Sequence, residues 1–231
     1  MESTTEKLGS EPRYPIGEAA ILAGTTANTL RRWVMGSREA AGRSAQPPLI
    51  CVDGGTLDPV HLSFFNVVEA AFLAAYRKLH VPMQRVRKAL DYSQTRLGLQ
   101  RPLLGEQFRV IGKDLFREFT ERSGEKRLLN VSRSGQVEWP EVVAAYFRAI
   151  EYDQHGPVLM WLLSERRMVG INPRISFGEP AIVRRGIATR VVFERFTAGE
   201  EPEDIAEDLS LSTAEVSEAV RWEAGALRRA A

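Results

Sequence analysis

Residues 14–33 contain two short helical patterns joined by a glycine, and this pair constrains the fold more than any other stretch of the chain. Apolar residues recur at the spacing of one helix face at Ile16, Ala19, Ala20 and Ala23. Gly24 follows this face directly and can take the positive φ angle that a tight turn requires. The stretch therefore predicts a short helix that ends in a sharp change of chain direction.

A second helix is predicted immediately after this turn. Thr25 or Thr26 can cap it, because a threonine hydroxyl accepts a hydrogen bond from the free amides of a first helical turn. Leu30 and Trp33 share one helix face and are expected to be buried, with Trp33 as a core anchor. Two helices joined in this way form a helix-turn-helix, whose second helix can enter a major groove of DNA.

The start and the outer face of the second helix carry the candidate DNA-binding residues. They are Thr25, Thr26, Asn28, Arg31 and Arg32. Guanidinium and amide groups can form two hydrogen bonds to a base edge, and arginine also binds phosphate. The same residue types occur on ordinary solvated helix faces, so that alternative stays open on the residues alone.

The charge balance limits how such a protein can reach nucleic acid. The 231 residues include 31 lysines and arginines and 30 aspartates and glutamates, which gives a formal net charge of +1. Because there is no global basic field, DNA binding has to come from a local patch. Basic residues around residues 80–82 are candidates either for a phosphate-facing surface or for a plain solvated face: Arg77, Lys78, Arg85, Arg87 and Lys88.

Turn residues and changes of hydrophobic period divide the chain into three segments. We expect residues 14–97 to form a winged helix-turn-helix with following helices, and residues 102–163 a small α+β linker domain. Residues 170–231 are expected to form a three-helix domain that is itself helix-turn-helix-like. The predicted fold class is therefore mainly α with small β elements.

The rest of the first segment predicts a wing and two more helices. Residues 49–52, followed by Gly54 and Gly55, have the pattern of a two-stranded wing. Ser63 is a candidate N-cap for the next helix, and Pro82 opens another.

The middle segment predicts two hairpins and a helix. The hairpins are expected at residues 108–119 and 128–137, where short apolar runs flank turn residues. A helix is expected to begin at Pro140, with its apolar face at Val143, Phe147 and Ile150. An apolar run follows at residues 158–163.

The last segment predicts three short helices. The first is expected to stop near Gly199, the second to open at Pro202, and the third to be capped by Ser212 or Thr213. A strongly acidic block lies in and just before the second of these helices: Glu200, Glu201, Glu203, Asp204, Glu207 and Asp208. Because such a surface repels phosphate, this second unit is predicted to contact protein and not DNA.

The C-terminal pair Arg228 and Arg229 is a candidate for an acidic pocket on a partner protein. The alternative is that the pair only keeps the end of the chain solvated.

Several classes of protein find no support in the sequence. The apolar runs at residues 67–75 and 157–163 are too short to span a bilayer. Residues 1–13 are polar, so we expect a frayed leader and not a signal peptide, and a cytoplasmic protein.

Metal and enzyme chemistry are also unsupported. Cys51 is a single cysteine, and His61, His80 and His155 lack the spacing of metal ligands. No nucleophile elbow, phosphate loop or zinc signature is present, so we expect no metal, no cofactor and no enzyme.

The N-terminal segment resembles the MerR-type winged helix-turn-helix. The matching stretches are residues 16–20, 23–24, 29–33, 62–77 and 81–86. The wing, residues 52–57, lacks the arginine and tyrosine with which MerR proteins grip the phosphate backbone.

The last segment resembles a small domain family of formerly unknown function, whose members often occur as antitoxins beside PIN-domain ribonucleases. The matching stretches are residues 172–175, 178–180, 186–189, 198–200 and 204–208. Residues 185–187 depart from the family, which pairs the glycine with a threonine and an arginine. The combination is similar to the large VapB-type antitoxins of the mycobacterial kind.

This resemblance implies an antitoxin of a type II toxin-antitoxin system. Its partners would be a PIN-domain (VapC-type) ribonuclease toxin and the operator DNA of its own operon, which it would bind as a homodimer. The alternatives are a stand-alone MerR-like regulator with a small-molecule effector domain, and an enzyme that carries a DNA-binding front.

Overall fold

A computed structural model defines the fold. It describes residues 3–37, 45–54, 60–99, 101–104, 117, 121–122, 130–131, 137–163 and 166–230.

Helices dominate the described residues. They are α1 (Thr4–Ser10), α2 (Ile16–Leu22), α3 (Ala27–Met35), α4 (Phe64–Lys78), α5 (Met83–Leu97), α6 (Glu141–Arg148), α7 (Thr189–Thr197), α8 (Pro202–Asp208) and α9 (Thr213–Ala230). Single 3-10 turns lie at Pro102–Leu104 and Ser176–Gly178. Among the described helices, none combines the length and the apolar character needed to cross a bilayer.

The strands are short and antiparallel. They are β1 (Tyr14–Pro15), β2 (His61–Leu62), β3 (Asn130–Val131), β4 (Val137–Glu138), β5 (Ile150–Asp153), β6 (Gly156–Trp161), β7 (Val169–Ile171), β8 (Ala181–Ile182) and β9 (Ile187–Ala188). Strand β1 pairs with β2, β3 pairs with β4, and β5 to β9 form one sheet in chain order. The prediction of a mainly α protein with small β elements is confirmed.

Local capping signals place several helices where the sequence predicts them. Ser63 caps α4 in a reciprocal box, because the Asn66 amide donates to its hydroxyl at 3.1 Å and the Ser63 amide donates to Asn66 Oδ1 at 3.3 Å. Helix α5 begins directly after Pro82, and α9 begins after Ser212, whose hydroxyl accepts from the Glu215 amide. These boundaries depend on neighbouring residues only, which is why the sequence shows them.

Helix α4 is the centre of the larger core. Its side chains are buried along almost its whole length, and α6 packs against it through an aromatic cluster. The rings of Phe72 and Tyr146 are 5.3 Å apart edge to face, and Tyr146 donates its hydroxyl to the Val68 carbonyl at 2.8 Å. The predicted first and middle segments therefore share one core.

A second, smaller core lies inside the three C-terminal helices and the end of the sheet. Its buried residues are Ile182, Val192, Ile205, Ala206, Val216 and Ala219. Trp222, one turn further along α9, belongs to the larger core instead. Helix α9 therefore joins the two cores.

The five-stranded sheet also connects regions that the sequence separates. Strands β5 and β6 come from the predicted middle segment, and β7 to β9 come from the predicted last one. Met160 pairs with Ile171 across the predicted boundary. Ile150, expected on the helix that begins after Pro140, instead begins β5, because α6 ends at Arg148.

The predicted frayed leader is wrong for Thr4–Ser10, which form α1. A capping box between Ser3 and Glu6 starts this helix, and Gly9 lies directly against the ring of Phe65 on α4. Thr5 donates its hydroxyl to Asp153 Oδ2 at 2.8 Å, so α1 is also bonded to β5. These partners lie far away in the sequence.

The predicted hairpins are only partly within the described residues. At residues 128–137 the described part confirms the pairing, because Asn130 lies opposite Glu138 and Val131 opposite Val137. The hairpin at residues 108–119 lies outside the described residues, apart from Arg117, which is helical where a strand is predicted.

Candidate nucleic-acid interface

The predicted helix-turn-helix is present as α2 and α3, and Gly24 forms its turn. The φ angle of Gly24 is 68°, a left-handed value that disfavours residues with a Cβ atom. The Gly24 amide donates to the Ile21 carbonyl at 3.1 Å, and the Thr25 amide donates to the Ala20 carbonyl at 2.9 Å. These bonds close the end of α2 and direct the chain into α3.

Thr26 is the N-cap of α3. Its Oγ1 accepts a hydrogen bond from the Thr29 amide at 3.3 Å and donates to Thr29 Oγ1 at 2.9 Å. Thr25 lies one residue earlier, is half-buried and does not cap the helix. Of the two capping candidates, the structure therefore selects Thr26.

Helix α3 has one buried and one exposed face. Leu30, Trp33 and Val34 are buried, as expected for the first two. The exposed face is a stripe of residues spaced by three, one and three positions: Asn28, Arg31, Arg32 and Met35. The structure therefore brings the predicted amide and guanidinium groups together on one outward surface.

A groove with arginines runs beside this stripe. It has a volume of about 420 Å³ and lies between α3 and the start of α5. Arg32, Arg77, Gln84 and Arg87 line it, and none of its described lining residues is acidic. Partial burial lowers the pKa of Arg87, against the effect of nearby Asp91. The groove has the charge and the donors of a phosphate-binding surface.

Arg77 connects α4 to the cap of α3. Its Nη1 donates to Thr29 Oγ1 at 2.7 Å, next to the hydroxyl of Thr26. At the same end of α4, the Lys78 ammonium lies close to Gly24. Two of the basic residues flagged around residues 80–82 thus lie against the helix-turn-helix, which sequence separation alone does not reveal.

The predicted strand at residues 49–52 is wrong. The amides of Leu49 and Ile50 donate to the Trp33 carbonyl, at 2.6 and 3.0 Å, so this segment closes the C-terminal end of α3. Ser37 and Gln46 form an isolated antiparallel bridge just before it. The return strand expected after Gly54 falls at residues 55–59, outside the described residues.

An ionic cluster fixes the chain behind α3, and sequence reasoning missed it. Arg101 donates to both Asp53 carboxylate oxygens, at 2.8 and 3.0 Å, and to both Glu69 oxygens, at 3.0 and 2.6 Å. Asn66 donates to Glu69 and to the Cys51 carbonyl. Because Glu69 is buried and its partners are distant in sequence, no local pattern shows the cluster.

The acidic block at residues 200–208 remains largely at the surface, whereas Glu215 and Glu218 on α9 are buried. Arg195 donates to Glu200 at 2.8 Å and to Asp208 at 2.7 Å, and these bonds raise the pKa of Arg195. Buried Glu215 forms a two-point pair with Arg184, which lowers the pKa of Glu215 to about 2.

The two arginines near the C-terminus differ in their surroundings. Both are exposed, and the Arg229 guanidinium lies 4.9 Å from the ring centre of Trp222. A role of Arg228 and Arg229 in toxin binding stays a prediction. Within the described residues, no three histidine, cysteine, aspartate or glutamate side chains are grouped so as to hold a metal ion.

Two family models match separate parts of the chain. One, described as "Putative DNA-binding HTH domain", matches residues 12–90, which include the whole helix-turn-helix, α4 and the first half of α5. The other, described as "Protein of unknown function (DUF433)", matches residues 169–222, which include β7 to β9 and most of the C-terminal helices.

Relatives match nearly the whole chain. The chain is 28% identical over 222 residues to "Putative antitoxin VapB45" of Mycobacterium tuberculosis, which covers 90% of this chain and 92% of the relative. It is also 28% identical over 236 residues to "Uncharacterized protein Rv2308" of the same organism, with 95% and 93% covered. The X-ray crystal structure of Rv2018 from Mycobacterium tuberculosis superposes with a TM-score of 0.73 at 25% identity, with 91% and 98% covered.

The geometry and the comparisons agree on the N-terminal part. A helix-turn-helix of the DNA-binding type is present, and its α3 presents an amide and two guanidinium groups beside a groove lined by arginines. The chain as a whole resembles an antitoxin-like DNA-binding protein in its sequence.

Proposed function

We propose that this chain is the antitoxin of a type II toxin-antitoxin pair, which represses its own operon and neutralises a PIN-domain (VapC-type) ribonuclease. Similarity to the VapB45 relative over nine-tenths of both chains supports the antitoxin role. The exposed stripe on α3 beside the arginine groove is the observation that carries the DNA-binding role. We propose a cytoplasmic homodimer with a MerR-like reading head, by which we mean α2 to α5, and we assign it no catalytic step.

In this proposal, some residues of the reading head contact base edges and others contact the phosphate backbone. Asn28 and Arg31 lie on the free face of α3, where a helix in the major groove meets base edges. Arg77 and Arg87 lie at the side of that helix, where the sugar-phosphate backbone passes. Arg32 lies between the two regions, since it belongs to the stripe and lines the groove.

Binding to the DNA upstream of the chain's own gene tests this division. We expect Arg31→Ala to weaken specific binding by about 1–3 kcal/mol and to reduce discrimination against scrambled DNA. We expect Arg87→Ala to weaken specific and scrambled DNA alike and to lower the salt dependence by about one counterion. Fluorescence anisotropy across a salt series measures both effects.

Arg148→Ala is the matched control, because it removes the same charge from an exposed side chain of α6, outside the groove. Equal losses of DNA affinity for Arg31→Ala and Arg148→Ala would show that α3 does not lie in the DNA interface.

The toxin-neutralising role has a separate test. PIN-type nucleases use clustered carboxylates with a metal ion, so a basic segment of an antitoxin can occupy that site. Arg228 and Arg229 are exposed at the end of α9 and have the required charge. The proposal predicts a PIN-domain gene next to this one, and we expect co-expression with its product to give a stable complex and to relieve growth arrest.

The double variant Arg228→Glu/Arg229→Glu is expected to abolish this relief while leaving DNA binding intact. Absence of a complex with the unaltered chain on size-exclusion chromatography would refute the toxin pairing, whatever the outcome with DNA.

A second candidate function is a regulator controlled by a small molecule, and one cavity favours it. A cavity of about 400 Å³ lies between residues 48–52, α5 and Pro102–Leu104, directly behind α3. Apolar Val34, Ile50 and Leu90 line it together with the polar groups of Arg101. A footprint on the operator that changes with a metabolite, in a genome without a neighbouring PIN gene, would favour this function.

A further inference from the structure

Phe177 is the most exposed of the large apolar side chains in the described part of the chain. It is 89% exposed, whereas the next, Leu227, is 58% exposed. The backbone around it is unusual, because Ser176 and Phe177 have φ angles of 45° and 53°, in the left-handed region that residues with a Cβ rarely adopt. An apolar ring is thus held in water on a strained turn.

Hydrogen bonds from three directions hold this turn in place. Arg13 Nη1 donates to the Phe177 carbonyl at 2.9 Å, and the buried hydroxyl of Tyr14 donates to the Gly178 carbonyl at 2.8 Å. Ser176 Oγ donates to the Gly186 carbonyl at 2.6 Å. Since strained backbone persists only where its surroundings fix it, the outward position of the Phe177 ring is specified by the fold.

A cleft lies directly beside this ring. It has a volume of about 470 Å³, lies between α2 and α9, and has Phe177 among its lining residues. Its apolar lining comes from Ile21 and Leu22 on α2 and from Trp222 and Ala226 on α9. The cleft is large enough to hold a phenyl ring, so a protruding group and a matching cavity share one face of the molecule.

We propose that this face binds a second copy of the chain about a two-fold axis, with the Phe177 ring of each copy in the cleft of the other. A two-fold interface requires one patch that complements itself, and an adjacent protrusion and cavity satisfy this requirement. This proposal rests on the homodimer proposed above and states which surface forms the dimer interface.

The charges and the position of the face fit this occupant. The cleft is bordered by acidic and basic side chains together: Glu18, Glu179, Glu223, Arg13 and Arg190. A face of mixed sign can pair with its own copy, whereas a face of one sign repels it. None of the candidate DNA-binding residues lines the cleft, so the stripe on α3 stays available to DNA in the dimer.

Sedimentation equilibrium of the full chain, without DNA or toxin, tests the proposal. We expect a dimer for the unaltered chain and an increase of about 100-fold or more in its dissociation constant for Phe177→Ala, because two buried aromatic anchors are lost. Phe196→Ala is the control, because Phe196 is 40% exposed and lies outside the cleft. We expect it to leave the dimer unchanged.

A mixing experiment separates this interface from any indirect effect. Ala226→Trp fills the cleft from α9, so it is expected to be monomeric like Phe177→Ala. A mixture of the two variants has one intact ring facing one open cleft, so we expect it to form a heterodimer that neither variant forms alone. Circular dichroism and thermal melting establish that both variants are folded.

Three outcomes overturn the proposal: a monomeric unaltered chain, a dimer that Phe177→Ala does not weaken, or two monomeric variants that fail to associate when mixed. If Phe177→Ala leaves the dissociation constant of the dimer unchanged, the proposed homodimer is retained but its interface lies on another surface. DNA binding and toxin binding are measured separately, so their failure is distinguishable from the failure of this face.

Discussion

Arg101 holds together the segments behind the reading head, because it is bonded to Asp53 in a loop and to Glu69 inside α4. We expect Arg101→Met to destabilise the protein by about 3 kcal/mol, since two partly or fully buried carboxylates lose their counter-charge. Urea unfolding followed by circular dichroism measures the change.

Arg148→Met serves as the matched control for this substitution. Its pair with Glu141 is exposed, with 60% and 83% of the two side chains accessible, so a loss below about 1 kcal/mol is expected. Equal losses at the two positions would show that the Arg101 cluster adds no more than a surface pair.

Glu215 gives the C-terminal helices a defined pH response. Its pKa falls from 4.5 to about 2 on folding, chiefly because Arg184 binds the ionised form. A carboxyl with a lowered pKa stabilises the fold fully above the unfolded value of 4.5, and this stabilisation is lost as the pH falls towards 2.

We therefore expect Glu215→Gln to cost about 1–2 kcal/mol at pH 6.5 and clearly less at pH 3, with the difference read from urea unfolding at each pH. Glu141→Gln, at an exposed pair, is expected to show no such pH dependence. A penalty for Glu215→Gln that is constant between these pH values would contradict the assigned ion pair.

At the scale of the element, the start of α3 depends on a single hydroxyl. Thr26→Ala removes the acceptor for the Thr29 amide, so we expect a loss of about 1 kcal/mol and weaker DNA binding from a frayed first turn. Thr25→Ala is the control, because Thr25 lies outside the cap. Thermal melting measures the stability of the two variants, and fluorescence anisotropy measures their DNA affinity. Equal values for Thr26→Ala and Thr25→Ala would contradict the assigned cap.

The comparison of α3 with residues 49–52 shows how far sequence alone predicts elements. Thr26, Gly24 and the apolar spacing act within a few residues of one another, so the helix-turn-helix and its exposed Asn28 and Arg31 are readable from the chain. The partner of Leu49 is the distant Trp33 carbonyl, and an extended apolar pattern cannot distinguish that partner from a neighbouring strand. Signals within a few residues therefore predict the helices of this region. The conformation of residues 49–52 depends on a partner that is distant in the sequence.

The candidate site follows the same division. Sequence predicted the side chains on α3, but Arg77 reaches them from 48 positions away in the chain, so its contact with Thr29 needed the fold. The exposure of Phe177 was not predictable either, because its left-handed backbone depends on bonds from Arg13 and Tyr14, over 160 positions earlier.

At the scale of the whole molecule, α9 ties the C-terminal helices to the reading head. Trp222 is 5% exposed and packs in the core that contains α2 and α4, whereas Val216 on the same helix packs in the smaller core. The two cores are therefore expected to melt together, as a single calorimetric transition.

Trp222→Ala is expected to lower that single transition by roughly 10 °C, since a large side chain is removed from the shared core. Val216→Ala, a smaller change in the other core, is expected to shift the same transition by a few degrees. Two separate transitions in the unaltered chain would contradict the shared core.

The bond from Tyr14 to Gly178 has a thermodynamic consequence. Tyr14 lies two residues before α2, and its hydroxyl holds a carbonyl in the C-terminal part of the chain. We expect a partner that shifts this carbonyl on binding to shift the start of the helix-turn-helix as well. By the reciprocity of linked equilibria, DNA must then alter the affinity for that partner by the same factor by which the partner alters the affinity for DNA.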